Sequence, residues 1–133
     1  IYRLISNNKK SVHLEKFLEF PKKFNNEKLN QKWLELIKIR NICNISIEEK
    51  RAIKEIGSSL EAKIKINLDK KLSEIIQNIN FSELCITSNA EVYYDENIET
   101  SVQTTKAKGS KCSICWKITE EACSRKTCPI KSE

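Results

Sequence analysis

From about Asn26 the apolar residues recur at three- and four-residue steps. Leu29, Trp33, Leu36, Cys43 and Ile47 lie on one stripe, with Arg40 among them. This spacing predicts one long amphipathic helix reaching Ile56, with Gly57 as its stop. Ser46 and Glu49 have the spacing of a capping box, so a kink at Ser46 is the second choice. Ala62 to Ile66 alternates apolar residues with lysine, the pattern of a half-buried strand. Leu68, Leu72, Ile75, Ile76 and Ile79 predict the buried face of a second helix beginning at Asn67 or Asp69. Leu84–Thr87, Ala90–Tyr94 and Ile98–Lys106 read as strands of a small antiparallel sheet. Ahead of the long helix, residues 1–5 look like the last turn of a helix. Ser11–Leu14 is a short extended piece. The fold class expected is α+β: a long helix from a helical bundle, a small α+β junction, and a C-terminal metal module. The expected boundaries are 1–61, 62–107 and 108–133.

Composition narrows the function. The chain has 133 residues, a formal charge of +6, two glycines and one histidine. Two glycines exclude Gly-rich phosphate loops, and His13 alone leaves little room for His-based catalysis. No apolar run approaches the roughly 18 residues of a membrane helix, and no signal peptide is expected, so no membrane partner is predicted. The first residue is Ile rather than Met, which points to a piece of a longer polypeptide. The abundance of Lys, Ile and Asn over Arg reads as codon bias. Charge comes in blocks: residues 1–66 carry 15 basic and 8 acidic side chains, 67–105 carry 2 and 7, and 106–133 carry 7 and 3. Basic segments suggest a polyanionic partner, while a solvated lysine-rich surface accounts for them equally well.

The six cysteines divide into two sets. Cys43 and Cys85 stand alone in apolar segments and are expected in the core. Cys112, Cys115, Cys123 and Cys128 crowd the C-terminus. A Cys-x2-Cys knuckle lets two thiolates grip one ion from a tight turn, and zinc takes four ligands in a tetrahedron. The cluster therefore predicts one structural zinc, with a redox pair plus incidental cysteines as the alternative. Lys111, Lys117, Arg125 and Lys126 offset the thiolate charge.

Three motifs occur in order along the chain. They are Ser11-Val12-His13-Leu14 followed by Phe20-Pro21, the run from Trp33 and Arg40 to Ile56-Gly57-Ser58-Ser59-Leu60-Glu61-Ala62, and Lys111-Cys112-Ser113-Ile114-Cys115-Trp116. Together they resemble the C-terminal region of the bacterial isoleucyl-tRNA synthetase family, with its "SVHL…FP", "IG-S-SLEA" and "KCxRCW" elements. The resemblance implies a piece that binds the anticodon region of tRNA(Ile) and packs on the remaining domains of a cytoplasmic enzyme. That enzyme activates isoleucine with ATP and esterifies it to tRNA. HIGH and KMSKS are absent here, so ATP belongs only to the missing catalytic domain and no catalytic residue is expected. The family's second metal pair is "LCxRC", and here Lys131 stands where its last cysteine would be. Cys123 is expected to replace it; the alternative is a degenerate site.

Candidate RNA contacts are Arg40, Arg51, Lys54, Lys111, Trp116 and Lys117. Arg40 offers a planar fork, for RNA or for a buried ion pair. Arg51 and Lys54 share a helix face and suit phosphates, or simply solvent. Trp33 and Trp116 could stack on bases, but Trp33 is expected in the core and Trp116 serves equally as a cover for the zinc. Two other functions compete: a structural brace within the synthetase that touches no RNA, and a generic zinc-dependent nucleic-acid module. The acidic middle block is the strongest argument for the brace.

Overall fold

The computed structural model describes His13, Lys16 and residues 19–121. The expectations for residues 1–5, for Ser11–Leu14 apart from His13, and for Cys123 and Cys128 lie outside the described residues.

Helix α1 spans Glu27–Ala52, about 39 Å at 1.5 Å per residue. Asn26 caps it, its side-chain oxygen accepting from Leu29 N–H at 3.0 Å. Leu36, Ile39, Cys43 and Ile47 form its buried stripe. The helix runs unbroken through Ser46, whose hydroxyl pairs with Thr104 Oγ1 at 2.8 Å instead of capping a new helix. The spacing predicts Leu29 and Trp33 in the core, and the structure corrects this: both are at the surface, Trp33 47% exposed. The sheet covers only the later turns of α1, so apolar residues in its first turns remain at the surface.

The helix ends four residues earlier than predicted, and Gly57 is not its stop. Glu55 N–H donates to Lys50 O and Lys54 N–H to Arg51 O, both at 3.0 Å. This is a Schellman closure with Lys54, at φ +60°, in the left-handed position that glycine usually takes. After the closure Ile56 is buried, and Gly57 N–H donates to Glu61 Oε2 at 3.0 Å. A 3-10 turn at Ser59–Glu61 then delivers the chain into β1.

Strand β1 spans Ala62–Asp69 and is the centre of a three-stranded sheet. Ala62, Ile64, Ile66 and Leu68 face α1 and are fully buried, while Lys63, Lys65 and Asn67 face the other way. Each buried branched side chain contributes roughly 1.5–3 kcal/mol. Strand β2 (Asn89–Asp95) pairs parallel to β1, and β3 (Ser101–Lys106) pairs antiparallel on its other side. The sheet is therefore mixed, not wholly antiparallel, and the architecture is α+β. β2 and β3 are consecutive in sequence but flank β1.

Two further expectations are corrected. No helix starts at Asn67 or Asp69. Strand partners on both sides hold Asn67, and β2 holds β1 in register to Asp69. Asp69 then caps only a 3-10 turn, Lys70–Leu72, and turns follow to Asn78. Leu84–Thr87 is not a strand. Asn80 caps a single helical turn, α2 (Phe81–Leu84), and Ile86 adopts φ +55°, which breaks any extended run. Ile76, Phe81 and Cys85 from this crossover complete the core, with Cys43 and Cys85 both buried as expected.

Candidate nucleic-acid interface

The strand register decides where charge lies. β1 and β2 end together, Asp69 opposite Asp95, and the loop to β3 adds Glu96 and Glu99. The acidic block of the sequence thus collects largely at one end of the sheet, where Lys70 pairs with Glu96 at 2.8 Å. Two of its other carboxylates are engaged elsewhere: Glu91 with Lys63 and Lys65 across the open sheet face, and Glu83 with Lys117. The Lys63 ammonium, with help from the Tyr93 hydroxyl, holds the Glu91 carboxyl below the ordinary glutamate range.

The opposite end is cationic. Lys106 closes β3 opposite Ala62, the first residue of β1, and Lys108 and Lys111 follow it. Glu61 ties this end to the helix terminus. Its carboxylate accepts from Gly57 N–H and lies 4.0 Å from Lys111 Nζ. Gly57 in turn lines an open depression with Glu48, Arg51 and Lys54. Arg51 keeps its guanidinium exposed while pairing with Glu48 at 2.7 Å.

Residues 110–119 form a small hairpin, β4 (Ser110–Lys111) against β5 (Ile118–Thr119). Cys112 N–H donates to Lys117 O at 2.9 Å and Trp116 N–H to Cys112 O at 3.0 Å, which folds the Cys-x2-Cys segment into a tight turn. Trp116 sits at φ +62° and is 59% exposed, with Lys111 Nζ 5.9 Å from its ring centroid. Ser88 fastens the hairpin to the sheet: its hydroxyl donates to Leu60 O and accepts from Ile118 N–H at 2.6 Å.

Of the six candidate RNA contacts, the fold brings Arg51, Lys54, Lys111 and Trp116 to this one end. Lys117 is turned away, 2.6 Å from Glu83 with its side chain 15% exposed. Arg40 lies farther up α1 on the exposed side, so it is not the buried ion pair considered above; its guanidinium acts on Cys85. Lys106 and Lys108 were missed. Their position beside Lys111 follows from the β1–β3 register, which no single-strand pattern carries.

Cys112 and Cys115 are partly buried in the tight turn, as a two-thiolate grip on zinc requires. Two thiolates on such a turn would supply half of a tetrahedral site. Among the described residues no group of three or more potential ligands gathers, so the full zinc knuckle is not established.

Comparison with known proteins places the chain beside enzymes that join amino acids to tRNA. No protein-family model matches it. It is 55% identical over 125 residues to the isoleucine–tRNA ligase of Pelagibacter ubique, covering 94% of this chain and 14% of that enzyme. It is 33% identical over 130 residues to the Bartonella henselae isoleucine–tRNA ligase, covering 90% and 13%, and 34% identical over 122 residues to that of Agrobacterium fabrum, covering 84% and 13%. The chain is therefore a homologue of one segment of the isoleucine–tRNA ligases, spanning about 14% of the first of these relatives. The homologous enzymes are ligases, and the shared segment contains neither HIGH nor KMSKS. Among the described residues no helix is long and apolar enough to cross a membrane.

Proposed function

We propose that the chain binds the anticodon region of tRNA(Ile) as part of a cytoplasmic isoleucine–tRNA ligase, and that ATP-dependent activation and aminoacylation belong to domains outside it. The observation that carries this reading is the separation of charge. Arg51, Lys54, Lys106, Lys108 and Lys111 gather at one end with the exposed Trp116, and much of the acidic block lies at the other. A phosphate backbone can approach the cationic end without meeting that block, which removes the main objection drawn from the sequence. In this reading the lysines and Arg51 hold phosphates and Trp116 stacks on an unpaired base. Residues 1–61 are the end of the helical anticodon-binding part, 62–107 the junction, and 108–133 the metal module.

The module holds one structural zinc on Cys112, Cys115, Cys123 and Cys128. Such an ion supplies folding energy to a segment with too little core of its own, and four thiolates leave no open position for chemistry. Cys123→Ser tests the ligand set: bound zinc per chain falls, whereas unchanged stoichiometry and affinity remove Cys123 from it.

The test of function is competition binding of the zinc-loaded full-length ligase to tRNA(Ile), to the same tRNA with an altered anticodon, and to duplex DNA, at low and near-physiological salt. A preference for the native anticodon that survives higher salt and is lost on replacing Lys54, Lys111 and Trp116 by alanine supports the reading. An undiminished preference in that variant refutes it. Equal binding of all three nucleic acids at low salt, erased at higher salt, supports the generic nucleic-acid module instead. The brace has its own observation: Leu34, Ile37 and Ile45 are exposed on the side of α1 away from the sheet, an apolar stripe that suits another domain of the synthetase.

A further inference from the structure

Two thiols remain that neither the zinc motif nor the cationic end uses. Cys43 comes from the middle of α1 and Cys85 from the cap of α2, and both are buried in the same core, 0% and 4% exposed. Their side chains are within hydrogen-bonding contact of one another. The exposed Arg40, one turn before Cys43, places its guanidinium close enough to act on the Cys85 sulfur. Cys85 also sits on a segment suited to local opening. α2 is a single turn, and the next residue, Ile86, is a β-branched side chain held at φ +55° and 53% exposed. A β-branched residue at positive φ is strained, and one-turn elements open at low cost.

We propose that Cys43 and Cys85 are an oxidisable pair, a site at which hydrogen peroxide converts two core thiols into a disulfide that staples α1 to the α2 turn. Cys85 is the attacking sulfur and Cys43 the resolving one. The Cys85 sulfur attacks one oxygen of hydrogen peroxide, the O–O bond breaks, and the other oxygen leaves as water with the proton from the thiol, giving a sulfenic acid. The Cys43 thiol then attacks that sulfur, the S–S bond forms, and a second water leaves. In balance, two thiols lose two electrons and two protons, and one peroxide is reduced to two waters. The electrostatics agree with these roles. The hydrogen bond from Cys43 lowers the Cys85 thiol from its ordinary value and Arg40 adds to this, against the opposing effect of burial. Cys43 is pushed the other way, by its hydrogen bond to Cys85 and by burial. A thiol lowered by its neighbour, in contact with a second thiol raised by the same contact, is an ordered pair of the kind disulfide formation needs.

The experiment exposes the full-length ligase to hydrogen peroxide, alkylates the remaining thiols in denaturant and maps the peptides. The expected product is a Cys43–Cys85 cross-linked peptide, about 2 Da lighter than the two reduced peptides and restored by dithiothreitol. Arg40→Ala slows its formation severalfold. Cys43→Ala leaves Cys85 as a sulfenic acid that dimedone captures. The proposal is overturned if both thiols of the wild-type enzyme stay alkylatable at peroxide doses that oxidise Cys112 and Cys115. A disulfide joining Cys85 to any other cysteine overturns it equally. The wild-type readout does not depend on whether either variant folds.

Discussion

Lys54 carries a conformational cost and a proposed binding role in the same residue, and substitution separates them. Its φ of +60° closes the Schellman motif at the end of α1. A residue with a Cβ in the left-handed region costs about 1.5 kcal/mol more than one without. Glycine gives back about 0.7 kcal/mol of this through the greater freedom of the unfolded chain. Losing a cation at a helix C-terminus costs about 0.3 kcal/mol more, equally for Gly and Ala. Lys54→Gly should therefore stabilise the chain by about 0.5 kcal/mol, and Lys54→Ala should destabilise it by about 0.3 kcal/mol. Urea unfolding measures both. If Lys54 also meets a phosphate, each variant lowers the slope of log affinity against log salt by about 0.7–0.9. Lys54→Arg keeps both strain and charge and should change neither reading. Equal stability of the Gly and Ala variants would refute the strained left-handed cap. A slope unchanged in both would remove Lys54 from the RNA surface while leaving the cap intact.

Gly109 sits at φ +118°, and a Cβ there would come within 2.1 Å of the Thr119 carbonyl oxygen, so Gly109→Ala should loosen the hairpin. Amide exchange at Cys112 and Trp116 should quicken by about tenfold or more, and zinc should bind more weakly; protection equal to wild type would sink this account. Ser46→Ala strips a partner from the buried Thr104 hydroxyl and should cost about 1–2 kcal/mol in urea unfolding, while adding Thr104→Val should recover much of it. An additive double mutant would show that the two hydroxyls are not coupled. Glu91 is held below its ordinary range by Lys63, so its contribution is present above the unfolded glutamate value, near 4.5, and is lost as pH falls through the lower folded value. Glu91→Gln should flatten the acid limb of stability in that window, and an acid limb identical to wild type would contradict the pairing.

The long helix was legible because its buried stripe, Leu36, Cys43 and Ile47, repeats at the helical period over several turns. β1 was legible where apolar residues alternate with lysine. The crossover was not. Leu68, Leu72, Ile75 and Ile76 satisfy a helical period, yet Leu68 is held in β1 opposite Tyr94 of β2 and is fully buried there. Local periodicity cannot register hydrogen bonds offered by residues 89–106. The helix stop was misplaced for a related reason: the chain closes at a lysine in a glycine's conformation, and Gly57 serves the turn to Glu61 instead. The candidate site was legible in residue type, and four of its six members do share one end.

By itself the sequence determined the long helix, the first strand, the burial of Cys43 and Cys85, the cysteine motif and the resemblance to isoleucine–tRNA ligases. All of these rest on residues close in the chain or on motifs read directly. Only the tertiary structure decided the parallel pairing of β1 with β2, the outward position of Arg40, the capture of Lys117 by Glu83, and the placing of Arg51 and Lys54 beside Gly57, whose N–H is held by the Glu61 that neighbours Lys111. Each of these depends on which distant segments share the core. That is fixed by burying Ile64, Ile66 and Leu68 against α1, and the charges go where the strand ends then fall.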